Sequence, residues 1–171
     1  SGAKFDQVTW DEAILRPKQI DRAILPGAPI GKFTLTGDIL EGADLSGVNL
    51  RHLNLSDVTL NTFKVSQSDF EGVNFNNATI RSLSASAAKF NNAQWHGVHF
   101  SNAILNGANL SNVLARGATL TNADLKQADM TQIVLEEAVM TSADFSGATL
   151  IEANLKNADL SRALFNLTDM S

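Results

Sequence analysis

Residues 107–129 read GANLSNVLARGATLTNADLKQAD. An apolar residue returns at every fifth position, which is neither the helix period of 3.6 nor the strand period of 2. The frame runs outward from this stretch without a slip. Every residue whose number is a multiple of five, from Leu35 to Met170, is apolar; there are 28 such positions, so no loop is inserted among them. With these residues taken as centres, a small apolar residue recurs two positions earlier: Ala43, Val48, Ala78, Ala93, Ala108, Ala123, Ala143 and Ala158. Between the two stands Asp or Asn, as at Asp44, Asn49, Asn54, Asp69, Asn74, Asn109, Asp124 and Asp129. After the centre comes a short polar residue (Ser46, Ser56, Ser111, Thr121), then often a glycine (Gly42, Gly47, Gly72, Gly107, Gly117).

Two apolar residues flanking a polar one describe a three-residue extended piece. The remaining two positions, rich in Ser, Asn and Gly, describe a corner. A side this short cannot bury its apolar face alone. The chain must coil and stack its inward residues into one column.

Bulk properties agree with a folded domain. The chain has 171 residues, 44% hydrophobic and 18% charged, enough for one globular unit with a core. It contains no cysteine, which excludes disulfides and thiolate metal sites and leaves the redox compartment unread. A net charge of −5 argues against nucleic acid as a direct partner. No apolar run approaches the roughly 18 residues of a membrane span. The start, SGAKFDQVTWDEAIL, is mixed and polar, unlike a secretory leader.

The iterated motif Ala-Asp/Asn-Leu-x-x resembles the pentapeptide-repeat proteins, most closely at GADLSGVNL (42–50) and TNADLKQADM (121–130), and the resemblance covers about four-fifths of the chain. It implies an all-β solenoid, a right-handed quadrilateral parallel β-helix with four repeats per coil. On that count the 28 repeats form seven coils, a rod roughly 34 Å long at about 4.8 Å per coil. Residues twenty apart then stack on one side, and centres ten apart face each other. One feature of the sequence supports that register. Trp95 is the bulkiest centre; its opposite centre is Ala85 and its neighbour in the next coil is Ala115, the only two alanines among the 28. Close packing requires such volume compensation. The large inward residues Phe63 and Leu83 are twenty apart and are expected to stack as well.

The ends depart from the pattern. Residues 1–30 keep apolar residues in frame (Phe5, Trp10, Leu15, Ile20, Leu25, Ile30) but lack the Asp/Asn signature, and Pro17, Pro26 and Pro29 interrupt. Thr9 followed by Glu12 is a helix-start pattern. These residues are expected to form a short, partly helical N-terminal cap, with degenerate coils as the alternative; residues 31–171 are expected to form the β-helix. The last centre is Met170, and an open coil there exposes strand edges and an apolar column. Two arrangements would cover it: a longer parent polypeptide, or an end-to-end homodimer through the C-terminal coil.

No residue is assigned a catalytic, cofactor-binding or metal-ligating role. His96 and His99 have H-x-x-H spacing but straddle a corner at outward positions, without a carboxylate to complete a set. The serines and threonines sit where corners need short polar side chains, with no histidine base indicated. The aspartates recur beside the centres, where their carboxylates can bond corner backbone groups.

The surface remains. Some proteins of the resembled family are similar to duplex DNA in shape and charge and act on DNA gyrase, which suggests a DNA-mimicking gyrase or topoisomerase inhibitor or protector. From residue 33 onward there are 14 acids and 8 bases. The one candidate acidic face holds Asp69, Glu71, Asp129, Glu152 and Asp169, diluted by Arg51 and Lys89. A different departure stands out. In the outward position before the centre, where Asp or Asn belongs, the chain has Ile104, Leu114, Val134, Val139 and Leu164. Leu114 and Val134 are expected to stack, with Val139 one side round and Arg116, Glu136 and Glu137 flanking. A cluster on a rigid face is a candidate protein-binding patch. The reading is a non-enzymatic protein–protein interaction or scaffold module, with the partner unnamed, within the frame of a larger bacterial, effector-like protein. A structural domain attached to an enzyme outside this chain is a third alternative.

Overall fold

In the structure, a computed structural model, residues 44–47 and 49–171 are described. The cap expected over residues 1–30 lies outside them, and no helix occurs among the described residues. Parallel bridges join residues twenty apart along the rod, from Asp44 with Lys64 to Thr149 with Asp169. One coil is therefore four sides of five residues. The centres and the residues two before them point inward, and those numbered 50 to 150 are buried.

Most sides are so short that they contribute a single bridging residue, the one between the two inward side chains. The N–H of a centre donates to a carbonyl nineteen residues ahead, as Leu45 to Lys64 (2.8 Å) and Trp95 to Leu114 (2.7 Å). The N–H of the outward residue donates to a carbonyl twenty-one behind, as Asn74 to Leu53 (2.9 Å). The backbone is thus paired coil to coil, which is what a buried β stack requires.

The corners explain the polar pair in the repeat. The second residue after the centre adopts φ between 54° and 75° at 23 positions, 17 of them non-glycine. This is the third residue of a type II turn, where Gly and Asn are least strained. The turn closes by an N–H from the next inward residue to the centre carbonyl, as Ala118 to Ala115 (3.1 Å). Among the described corners, only Asn61–Thr62 and Arg81–Ser82 lack the left-handed residue. They join strands β1 (Thr59–Leu60) to β2 (Phe63–Lys64) and β3 (Thr79–Ile80) to β4 (Leu83–Ser84). β1 pairs with β3 and β2 with β4, so Phe63 lies against Leu83. Both open corners precede a bulky inward residue. The Phe63 N–H donates to Ser82 in the next coil (2.9 Å), with no bond to the centre behind it. Leu53 keeps the tight turn, with its bond stretched to 3.4 Å.

Aromatic rings fill the core between the coils of Phe63 and Phe100. Phe70 stacks on Phe90 (5.3 Å between centroids), and Trp95 meets Phe90 and Phe100 edge to face at 5.0 and 5.3 Å. Trp95, Ala85 and Ala115 are all fully buried. The inward position also admits hydroxyls: Ser68 Oγ donates to Leu45 O (2.6 Å) and Thr168 Oγ1 to Phe145 O (2.8 Å). Each satisfies itself on the coil before.

Candidate protein-interaction face

The outward Asp and Asn have a structural duty at most positions. Their Oδ1 accepts the N–H two residues on, as Asn54 from Ser56 (3.1 Å), Asn74 from Asn76 (2.9 Å), Asp129 from Thr131 (3.1 Å) and Asn154 from Lys156 (3.1 Å). Each bond satisfies a corner donor. In Asp144 and Asp159 the following serine adds its hydroxyl, and these bonds hold both carboxyls below the ordinary carboxylate range.

Leu114, Val134 and Val139 cannot make that bond, so the corner donors of Arg116, Glu136 and Thr141 go without it. What the three positions carry instead is exposed apolar surface. Leu114 is 42% and Val139 38% exposed, with Val134 half-buried. Leu114 bridges to Val134, and Val139 stands round the corner, bridged to Thr119 and Asp159. The corner between them is held by charge. Arg116 Nη2 donates to Glu137 Oε1 (2.7 Å), and the paired carboxylate raises the guanidinium above its usual value. Glu136 Oε1 accepts from Asn154 Nδ2 (2.8 Å). The six residues Leu114, Arg116, Val134, Glu136, Glu137 and Val139 therefore lie on one face and its edge. Ile104 and Leu164 lie on the opposite face, where Asp124 and Asp144 separate them.

The cap can be isolated by comparing two substitutions that both remove the leucine. Leu114→Asn is expected to be more stable than Leu114→Ala by about 0.5–1.5 kcal/mol, because only Asn can accept from the Arg116 N–H. Paired thermal melts of the two variants measure the difference; equal melting would refute the cap.

The acidic residues are dispersed by the same geometry. Arg51 forms an ion pair with Glu71 and lies 3.9 Å from Asp69, while Lys89 follows Asp69 in the backbone ladder one coil on. Asp129 is bonded to Thr131, Glu152 accepts from Gln132 Nε2 (2.7 Å), and Asp169 caps Ser171. The face carries Asp69, Glu71, Asp129, Glu152 and Asp169 along its length with cations at one end. The His52 ring packs over Gly72, where a Cβ would come within 2.5 Å of Nδ1. Among the described residues no three His, Asp or Glu side chains converge as a metal cluster.

One exposed apolar side chain lies outside the outward column. Leu167 is 96% exposed and stands at a left-handed corner position (φ 57°). The signal was present: it is a leucine in the corner position otherwise held by residues such as Asn, Gln and Gly.

A four-sided parallel β-helix with polar corners defines a repeat solenoid built to display its sides. The family model for pentapeptide repeats matches residues 34–62, 96–132 and 133–171 in eight copies, and the chain belongs to that family. Among solved structures it is similar to a trypsin-treated form of QnrB1, described as a plasmid-mediated fluoroquinolone resistance protein. That likeness has TM-score 0.64 at 15% identity over 77% of this chain and 68% of QnrB1. A second trypsin-treated form aligns at TM-score 0.53 and 21% identity, over 77% and 76% of the two chains. The pentapeptide-repeat protein Rfr23 from the cyanobacterium Cyanothece 51142 aligns at TM-score 0.40 and 23% identity, over 74% and 91%. No curated protein matches the sequence. At these identities the likeness is one of fold.

Proposed function

We propose that this rod is a non-enzymatic interaction module whose binding surface is the face and corner bearing Leu114, Val134 and Val139, flanked by Arg116, Glu136 and Glu137. The observation that carries the reading is the surrendered caps. Three outward positions give up a corner hydrogen bond and expose apolar carbon around one rigid corner. Scattered apolar surface is ordinary, whereas a cluster on a fixed scaffold is a binding surface. The rigid coil stack presents these side chains without an ordering cost on association.

The test is Leu114→Asp combined with Val134→Asp. Asp holds the equivalent outward position on the other three sides, as at Asp69, Asp124 and Asp159, so the fold is expected to persist, as read by circular dichroism and melting. Proteins retained by the wild-type rod from an extract of its source cells are expected to fall at least tenfold. Full retention by a folded double variant overturns the reading.

The DNA-mimicking alternative draws on the likeness to QnrB1 and on the acidic excess. Against it stands Arg51, whose ion pair with Glu71 offsets charge at one end of the acidic face, with Lys89 in the same outward column as Asp69. A gyrase supercoiling assay separates the two readings, and the interaction-module reading expects no change in supercoiling.

A further inference from the structure

The outward column of the face bearing Leu114 differs from the other three. It runs Asn54, Asn74, Gln94, Leu114, Val134, Asn154 and contains no ionisable residue. The adjacent face on one side carries His99 and Asp159, the opposite face Lys64, Asp124 and Asp144, and the remaining face Asp69, Lys89, Asp129 and Asp169. An uncharged face can meet its own copy without like-charge repulsion. Its order is also self-complementary. Gln94, Leu114, Val134 and Asn154 read amide, apolar, apolar, amide in either direction, one coil apart each. The edge follows the same rule: Arg116 stands one coil before Glu136 and Glu137 on one corner.

Resting on the reading of this face as the binding surface, we propose that its occupant is a second copy of the chain, packed side by side and antiparallel. The two-fold axis lies in the interface, across the rod between the coils of Leu114 and Val134. It sets Leu114 against the partner's Val134 and Gln94 against the partner's Asn154. The same axis keeps equivalent corners on one edge and reverses their order. Arg116 then faces the partner's Glu136 and the partner's Glu137, and the contact occurs twice. A parallel arrangement would set leucine on leucine but turn Arg116 to the opposite edge, beside Ser111 and Thr131, without a carboxylate of its own corner. The isologous geometry is the common one for homodimers. Four coils of one face span only about 14 Å between the outermost outward residues at about 4.8 Å per coil. The contact falls below the roughly 1,200 Å² of a standard interface, so association is weak and concentration-dependent.

Val139 lies round the corner, outside this contact. That separates the dimer from a different protein gripping the whole corner. Sedimentation from about 10 µM to about 1 mM is expected to show the average mass of the wild type rising toward twice the monomer. Leu114→Asp with Val134→Asp is expected to remain monomeric, and Ile104→Asp, on the opposite face, to associate as the wild type does. The chain has no cysteine, so single introduced thiols report the geometry. Gln94→Cys mixed with Asn154→Cys is expected to form the mixed disulfide, at least tenfold above self-linking of Gln94→Cys alone. A wild type that stays monomeric at about 1 mM overturns the proposal, as does association that survives the double Asp substitution, which would place the contact elsewhere, for example end to end. Dominant Gln94→Cys self-linking overturns the antiparallel arrangement. None of these results touches the interaction-module reading, which fails only if heterologous partners persist on the folded double variant.

Discussion

Trp95→Ala is expected to destabilise the rod by about 3–5 kcal/mol, the largest effect of any single substitution considered. Trp95 is the largest fully buried side chain among the described residues, and its ring lies edge to face against Phe75, Phe90 and Phe100. Deleting it removes the apolar transfer energy and leaves a void between coils held in register by parallel bridges on every side, so little collapse can refill it. Trp95→Phe is expected to cost much less. The indole Nε1–H is buried without a hydrogen-bond partner, so its removal relieves a desolvation penalty of about 1–3 kcal/mol that offsets the lost volume. Urea melts of the two variants check the contrast, and equal losses would show that volume plays no part at this position.

Ala85→Leu is expected to destabilise by about 1–3 kcal/mol for the opposite reason. Ala85 is the centre half a coil from Trp95, fully buried, and the side containing it is bridged on through Ser84 to Ile104. Three added carbons have no space that the tryptophan does not already occupy. Ala115→Leu meets the same obstacle one coil on, since the Trp95 N–H donates to Leu114 O (2.7 Å) and holds the two coils in contact. The coupling is the sharper test. On a Trp95→Ala background, Ala85→Leu is expected to be less destabilising than in the wild type, because residues sharing one cavity are non-additive. Strict additivity would mean the two side chains do not compete for the same volume.

Much of this architecture is legible along the chain because inward positions in a coil tolerate only apolar side chains of matched size. The uninterrupted frame from Leu35 to Met170 and the alanines around Trp95 already imply stacked coils. Phe63 and Leu83 pair as the register demands. The corner opening beside them was not legible. Leu53 and Ile133 are also bulky, yet their corners keep left-handed residues at His52 and Gln132. Whether a turn opens depends on what the neighbouring coils leave free, as it does where the Phe63 N–H reaches Ser82.

The candidate face divides in the same way. Leu114, Val134 and Val139 stand out in the sequence as apolar letters where Asp or Asn belongs. That each one forgoes a corner cap, that Arg116 turns to Glu137, and that Glu136 is tied to Asn154 were decided by the fold. The sequence by itself determined the period, the inward column and the volume compensation, because those follow from local alternation and from side-chain size. Only the tertiary structure decided the corner geometry, the ion pairing and the lone uncharged face, because residues twenty apart become neighbours only when the coils stack.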